Sequence, residues 1–83
     1  MGSKGLPPGE GLLIRPCNSI HMFFMRFAID VVFMDRDYRI IKIVNGLKPG
    51  KVVGTVAGAW QAIEVTSGDL PESFREGVQL IVK

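Results

Sequence analysis

The stretch PCNSIHMFFMRFAIDVVFMDRD, residues 16–37, decides the fold of this 83-residue chain. It holds the only cysteine, the only histidine and four of the five phenylalanines. A helix capped by Ser19 is one interpretation of its apolar run, but the run is apolar on all sides and its valines and phenylalanines favour strands. We therefore predict two strands, Ile20–Arg26 and Ile29–Asp35, separated by a bend at Phe27-Ala28.

Short strands separated by turns are predicted for the rest of the chain. Ten glycines and five prolines in so few residues favour turns over long helices. A D-x-x-E spacing from Asp69 predicts one short helix, Leu70–Glu76, which Gly77 ends. The predicted turns are Asp35–Tyr38, Asn45-Gly46 and Lys48-Pro49-Gly50, and the remaining predicted strands are Gly11–Arg15, Tyr38–Val44, Lys51–Val53, Trp60–Thr66 and Val78–Val82.

These elements predict a mainly β fold, a β-rich α+β domain. We expect a small curled, mostly antiparallel sheet or an incomplete barrel of five to six short strands, with one short helix near the C-terminus. Residues 1–10 are rich in glycine and proline and are expected to form a flexible lead-in. Residues 11–83 are expected to fold as a single β-rich domain, since the chain has the length of one small domain.

Composition narrows the class of protein. The chain is 47% hydrophobic and 22% charged, as a globular domain is, and its net charge of +2 does not by itself indicate a polyanionic partner. A single cysteine cannot form an internal disulfide, which fits a reducing compartment. Arg26 and Asp30 interrupt the longest apolar run, and no apolar leader segment is visible. We predict a soluble, cytoplasmic protein without a membrane partner.

Four polar side chains are weak candidates for binding: His21, Arg26, Asp30 and Glu64. Charged groups inside an apolar run are costly unless they are paired, so Arg26 and Asp30 are expected to pair with each other or with Glu64, or to line a polar cleft. No complete catalytic constellation is present. The first interpretation is therefore a non-enzymatic small β domain that binds a ligand or a partner, with no catalytic residue and no cofactor.

Two alternatives stay open. Cys17 and His21, in a C-x-x-x-H spacing, could form an enzyme or metal site together with Asp30, although the chain has no second cysteine or histidine to complete structural zinc ligation. The basic segment Arg36–Lys51 could bind nucleic acid. Nucleic-acid binding is the less favoured, because the phenylalanines are expected to be buried and a solvated outer face that protects an edge strand explains the charges better.

The central stretch, together with GLKPGKV and AIEVTSGDLPESFREG, resembles the domain of unknown function 192 family from Leu6 to the C-terminus. The resemblance implies a compact, β-rich single domain and no established activity. The positions that match the family's pattern are Cys17, Asn18, His21, Met25, Asp30, Asp35, Asp37 and Glu64.

The chain departs from the family pattern at three positions. Ala28 stands where proline is usual, Tyr38 where glycine follows the D-R-D turn, and Val78 where aspartate is common. The chain also begins after the family's usual N-terminal segment. A missing edge strand would leave apolar surface open, so we expect a homodimer paired through an exposed strand edge.

Overall fold

The fold consists of a four-stranded antiparallel sheet and a two-stranded antiparallel ribbon. The computed structural model describes residues 11–21 and 27–80, with only the backbone of His21. The sheet is open, its strands lie in the order β1-β6-β3-β4, and β2 pairs with β5 in the ribbon. The strands are β1 Gly11–Ile14, β2 Ile20–His21, β3 Ile29–Met34, β4 Ile40–Leu47, β5 Val52–Val53 and β6 Gln61–Thr66. The predicted mainly β, antiparallel fold is confirmed.

The central strand β3 is buried along its whole length. It lies between β4 and β6, and all six of its residues are buried. Ile29, Val31 and Phe33 project from one face of the sheet, called here the first face, and Val32 and Met34 project from the second face. A strand that is covered on both faces is apolar in every direction, which explains why its sequence does not alternate.

Different parts of the chain cover the two faces. On the first face, Ile20 of the ribbon and Val56 of the following loop join the buried cluster, and Val53 packs against it. On the second face, Leu70, Phe74 and Leu80 of the C-terminal segment pack against Val32, Met34 and Ile40. The sheet is therefore the middle layer of the domain.

The helix predicted at Leu70–Glu76 is absent, and this prediction is wrong. The segment forms two turns, in which the amide of Phe74 donates to the carbonyl of Pro71 (3.0 Å) and that of Val78 to Arg75 (3.1 Å). Nucleating a helix of only two turns is costly. The observed path instead buries apolar side chains on the second face and lets Ile40 exchange hydrogen bonds with Gly77 and Val78 at 2.8 Å each.

The last predicted strand, Val78–Val82, is reduced in the described part of the chain to a single antiparallel bridge between Arg39 and Gln79. Its final residues lie outside the described ranges, as does the part of the predicted strand Ile20–Arg26 that follows His21. The bend predicted at Phe27-Ala28 is present at Phe27.

The predicted turn at Asn45-Gly46 is instead a bulge inside β4. Ile29 pairs with Leu47 and Val31 with Val44, so β4 carries one extra residue opposite Asp30. Gly46 has a positive φ of 65°, which suits glycine. The bulge keeps β4 in the sheet, so the strand extends past the predicted turn.

The Asp30 carboxylate fixes this bulge. Its Oδ1 accepts hydrogen bonds from the amide of Gly46 (2.7 Å) and the hydroxyl of Ser67 (3.2 Å), and its Oδ2 accepts one from the amide of Gly68 (3.0 Å). The side chain is only 4% exposed. A buried carboxylate therefore joins the bulge of β4 to the turn that follows β6.

The hairpin turn from Asp35 to Tyr38 forms as predicted. Asp35 Oδ1 accepts from the amides of Asp37 and Arg39, both at 2.9 Å, and the amide of Tyr38 donates to the Asp35 carbonyl at 3.2 Å. Tyr38 has a φ of 65°, in the left-handed region. This conformation explains why a glycine would suit the position.

The open sheet has two edges, β1 and β4. The C-terminal segment approaches β4, where the amide of Ile43 donates to Glu76 Oε2 at 3.5 Å. On β1, Leu13 is 43% exposed. Homodimerisation through a strand edge stays a prediction. Within the described residues, no helix is long and apolar enough to cross a membrane.

We expect Asp30→Ala to lower the free energy of unfolding by about 3 kcal/mol, because the substitution removes three hydrogen bonds to a buried carboxylate. Urea unfolding followed by circular dichroism measures the loss. Ser67→Ala removes one of the three bonds and is the control, with an expected loss of about 1 kcal/mol. A loss below about 1 kcal/mol for Asp30→Ala would contradict the role of this carboxylate.

Candidate functional site

The structure does not bring the predicted site residues Asp30 and Glu64 together. Asp30 lies opposite Val65 in the ladder between β3 and β6, and Glu64 lies opposite Val31. Directly paired residues share a face, whereas successive residues of a strand project from opposite faces. The two carboxylates are therefore on opposite faces of the sheet. Arg26 and the side chain of His21 lie outside the described part of the chain.

Glu64 and Cys17 lie on the first face of the sheet. Glu64 is 6% exposed, and no hydrogen bond or ion pair reaches its carboxyl group from the described residues. Burial raises the pKa of Glu64 above its ordinary value. Burial therefore makes ionisation of this carboxyl group less favourable than in water.

Cys17 is half-buried against the apolar cluster of the first face. Its thiol donates a hydrogen bond to the carbonyl of Ser19 at 3.3 Å. Burial raises the pKa of Cys17, and the charge of Glu64 acts in the same direction. The thiolate, which is the nucleophilic and metal-binding form, is therefore disfavoured at this position.

The trio of Cys17, His21 and Asp30 is not assembled around a common point in the described atoms, because Asp30 projects from the second face. Within residues 11–21 and 27–80, no three histidine, cysteine, aspartate or glutamate residues are grouped so that they could hold a metal ion.

A cluster of two arginines and two aromatic residues lies at one end of the sheet. Arg15 follows β1, Arg36 and Tyr38 belong to the turn between β3 and β4, and Trp60 precedes β6. Because β6 runs antiparallel to β1 and β3, these ends meet. We call Arg15, Arg36, Tyr38 and Trp60 the Trp60 cluster.

Both guanidinium groups of the Trp60 cluster lie over the tryptophan ring. The Cζ atom of Arg36 is 4.7 Å from the centroid of Trp60, and that of Arg15 is 5.7 Å from it. Arg15 also lies 5.9 Å from the centroid of Tyr38, and its Nη2 donates to the Tyr38 hydroxyl at 3.0 Å. These distances are in the range of cation–π contacts, which hold the guanidinium groups near the ring.

A cleft of about 320 Å³ opens beside Trp60 and is lined by Pro16, Cys17, Asn18, Ala59 and Trp60. Backbone hydrogen bonds of 2.8 Å fix its walls: the amide of Cys17 donates to the carbonyl of Trp60, and the amide of Trp60 donates to the carbonyl of Met34. The amide of Val56 donates to the carbonyl of Asn18, also at 2.8 Å. The cleft is thus anchored to the sheet by main-chain contacts.

The basic residues between Arg36 and Lys51 do not form one patch. Arg36 and Lys48 lie beyond opposite ends of β4, which is eight residues or roughly 25 Å long. Arg39 donates to the carbonyl of Gly77 (3.2 Å), and Lys42 lies on β4 between the two ends. Only Arg36 joins the Trp60 cluster.

Sequence reasoning missed Arg15 and Trp60 as candidates. Each stands at the end of a predicted strand, and 44 intervening residues separate them along the chain. Their proximity depends on the pairing of β1 with β6, for which the sequence carries no local signal. The one available indication was a lone tryptophan beside a loop of small residues, Gly54–Ala59.

Comparison with known proteins agrees with the sequence resemblance. The chain matches the domain of unknown function 192 family, whose members carry the description "Uncharacterized ACR", over residues 1–80. The chain belongs to this family. It is also similar to the UPF0127 protein PH1112 of Pyrococcus horikoshii, with 40% identity over 57 residues, which are 69% of this chain and 48% of the relative. No solved structure matches the chain.

The chain spans about half the length of this curated relative. Two positions of the domain of unknown function 192 pattern have a structural role: Asp30 holds the bulge of β4, and Asp35 holds the hairpin turn. Cys17 and Asn18, by contrast, line the cleft.

The raised pKa of Glu64 predicts a pH-dependent effect of Glu64→Gln. A folded-state pKa above the unfolded value means that the acid favours folding at low pH, and that this contribution is lost as the pH rises through the folded pKa. We therefore expect the stability of the Gln variant relative to the unsubstituted protein to increase as the pH rises from the ordinary pKa of a glutamate through the raised folded-state pKa. Urea unfolding across this range measures the difference. Glu72→Gln, the same change at an exposed side chain, is the control, and a difference that stays flat for Glu64→Gln would contradict the assignment.

Alkylation of the single cysteine tests how burial and the charge of Glu64 affect the pKa of the Cys17 thiol. We expect the pH midpoint of the iodoacetamide reaction to be higher in the folded protein than in an unstructured peptide of residues 14–20, because burial disfavours the thiolate. Glu64→Gln is expected to lower the midpoint, since it removes a nearby negative charge. A midpoint below that of the peptide would instead support a nucleophilic cysteine.

Proposed function

We propose that this chain is a non-enzymatic ligand-binding β domain whose site is the cleft beside Trp60. The observation that carries the proposal is the cleft itself, one wall of which is the half-buried Trp60, whose ring also contacts two arginines. Pockets for small molecules combine an apolar or aromatic wall with a few polar groups that fix orientation. We also propose the cytoplasm as its location, on the basis of the lone cysteine.

The size of the cleft supports a small ligand. A volume of about 320 Å³ is at the lower end of the range for small-molecule sites. The walls come from the ends of strands and are fixed by main-chain hydrogen bonds, so little ordering is required when a ligand binds. The exposed side chain of Asn18 adds a hydrogen-bonding group at the rim.

A binding function fits the chemistry of the site better than catalysis does. The thiol of Cys17 is held in its protonated form by burial, and the Asp30 carboxylate is occupied by main-chain and hydroxyl donors on the other face of the sheet. A general base or nucleophile needs a free, suitably poised group within reach of a substrate. Neither Cys17 nor Asp30 meets this requirement.

Nuclear magnetic resonance of ¹⁵N-labelled protein tests the site, because Trp60 is the only tryptophan and gives a single indole resonance. The probes are phenol, benzamide, benzoate and phenyl phosphate. We expect at least one probe to shift the Trp60 indole and the amides of Cys17, Asn18 and Ala59 saturably, and to be recovered unchanged.

Trp60→Leu removes the aromatic wall, and we expect it to weaken that binding about tenfold, as measured on the Cys17 and Asn18 amides. Val52→Leu, at an exposed ribbon position, is the matched control and is expected to leave binding unchanged. If none of the four probes shifts these resonances, or if the shifts map elsewhere, the proposed site is wrong.

A further inference from the structure

We infer that the ligand of the cleft is a small phosphate monoester, with its phosphate held by Arg15 and Arg36 and its body against Trp60. This inference rests on the proposed function and specifies the chemical class of the ligand.

Neither guanidinium group forms an ion pair with a carboxylate of the described residues, although Asp35 and Asp37 flank Arg36 in the same turn. Arg36 is exposed and makes no hydrogen bond or ion pair with the described residues, and its contact there is the ring of Trp60. The hydrogen bond of Arg15 goes to the neutral hydroxyl of Tyr38. The nearby Asp35 uses its Oδ1 to accept from the amides of Asp37 and Arg39.

The glutamate of β6 is also too distant to serve as the counter-charge. Glu64 lies four positions beyond Trp60, roughly 13 Å along the strand, and it is buried in the first face. Two like charges held over one ring repel each other unless an anion lies between them. An anion placed between the two guanidinium groups relieves this repulsion, and the ligand is expected to supply it.

Phosphate fits this pair of cations better than a monoanion does. A phosphate monoester carries a charge between −1.5 and −2 at neutral pH and three terminal oxygens. Each guanidinium presents a planar fork of N–H donors that matches two such oxygens. The contacts with Trp60 and Tyr38 restrict both side chains before binding, which lowers the entropic cost of ordering them.

The position of the cluster beside the cleft indicates a compact ester. The space of about 320 Å³ accepts a single ring or a short chain. The other basic residues of the segment from Arg36 to Lys51 extend along β4, away from Trp60. The residues that the structure describes thus offer a local anion site and no continuous basic track for a polymer backbone.

The test compares matched probes by the shift of the Trp60 indole resonance. Phenyl phosphate is compared with phenol, and benzoate with benzamide, so that each pair differs in the presence of an anionic group. We expect phenyl phosphate to bind at least tenfold more tightly than phenol and more tightly than benzoate, and its affinity to fall as sodium chloride is added.

Substitutions then locate the anion. We expect Arg36→Met and Arg15→Met each to weaken phenyl phosphate about tenfold and to leave phenol binding within about twofold. Lys42→Met removes the same charge from an exposed position on β4 and is expected to change the affinity less than about twofold. The heteronuclear spectrum of each variant verifies its fold, and Arg36→Met alone suffices if Arg15→Met is unstable.

Each outcome separates the two proposals. Equal binding of phenol and phenyl phosphate at the cleft overturns the phosphate inference and leaves the binding function standing. Benzoate binding as tightly as phenyl phosphate replaces the phosphate with a carboxylate and also overturns the inference. If Lys42→Met and Arg36→Met lose equal affinity for phenyl phosphate, only long-range charge acts, and the phosphate inference is overturned. If no probe shifts the Trp60 indole resonance, both proposals are overturned.

Discussion

The burial of β3 on both faces is the constraint on which the rest of this structure depends. A strand in this position needs a neighbour on each side for its amides and carbonyls, and a layer above and below for its side chains. The ladders to β4 and β6 meet the first need. The ribbon and its loop cover the side chains on the first face, and the C-terminal turns cover those on the second face.

This arrangement leaves the ends of the sheet as the places where polar groups can gather, and the two ends are used differently. At one end, Asp30 is enclosed by donors from the bulge and from the turn after β6, so its charge contributes to the architecture. At the other end, about 17 Å away along β3, two arginines lie over a tryptophan that lines a cleft, and neither forms an ion pair with a carboxylate in the described part of the chain. Buried and satisfied groups stabilise a fold, whereas exposed and uncompensated ones are available for binding.

Much of the fold could be predicted from local sequence. The apolar run of residues 29–34, the hairpin turn at Asp35 and the turn at Lys48-Pro49-Gly50 all formed where local preference places them. Prediction was wrong where a distant group overrides that preference. Asn45-Gly46 would form a turn by itself, but the Asp30 carboxylate holds it as a bulge. Leu70–Glu76 forms turns instead of a helix, because the turns bury its apolar side chains and bring the chain to hydrogen-bond with Ile40.

The site depends even more on pairing between residues that are distant in sequence. Asp30 and Glu64 are both polar residues on strands, and only the register shows that they face apart, whereas Arg15 and Trp60 meet through the pairing of β1 with β6.

Tyr38 connects the energetics of the backbone to the chemistry of the surface. Its left-handed conformation costs on the order of 1 kcal/mol, which a glycine would not incur, yet only a side chain can supply the hydroxyl that receives Arg15. The domain therefore gives up a small part of its conformational stability to restrict the motion of a cation at its rim. In this one residue, a less stable backbone conformation accompanies a side chain that preorganises Arg15.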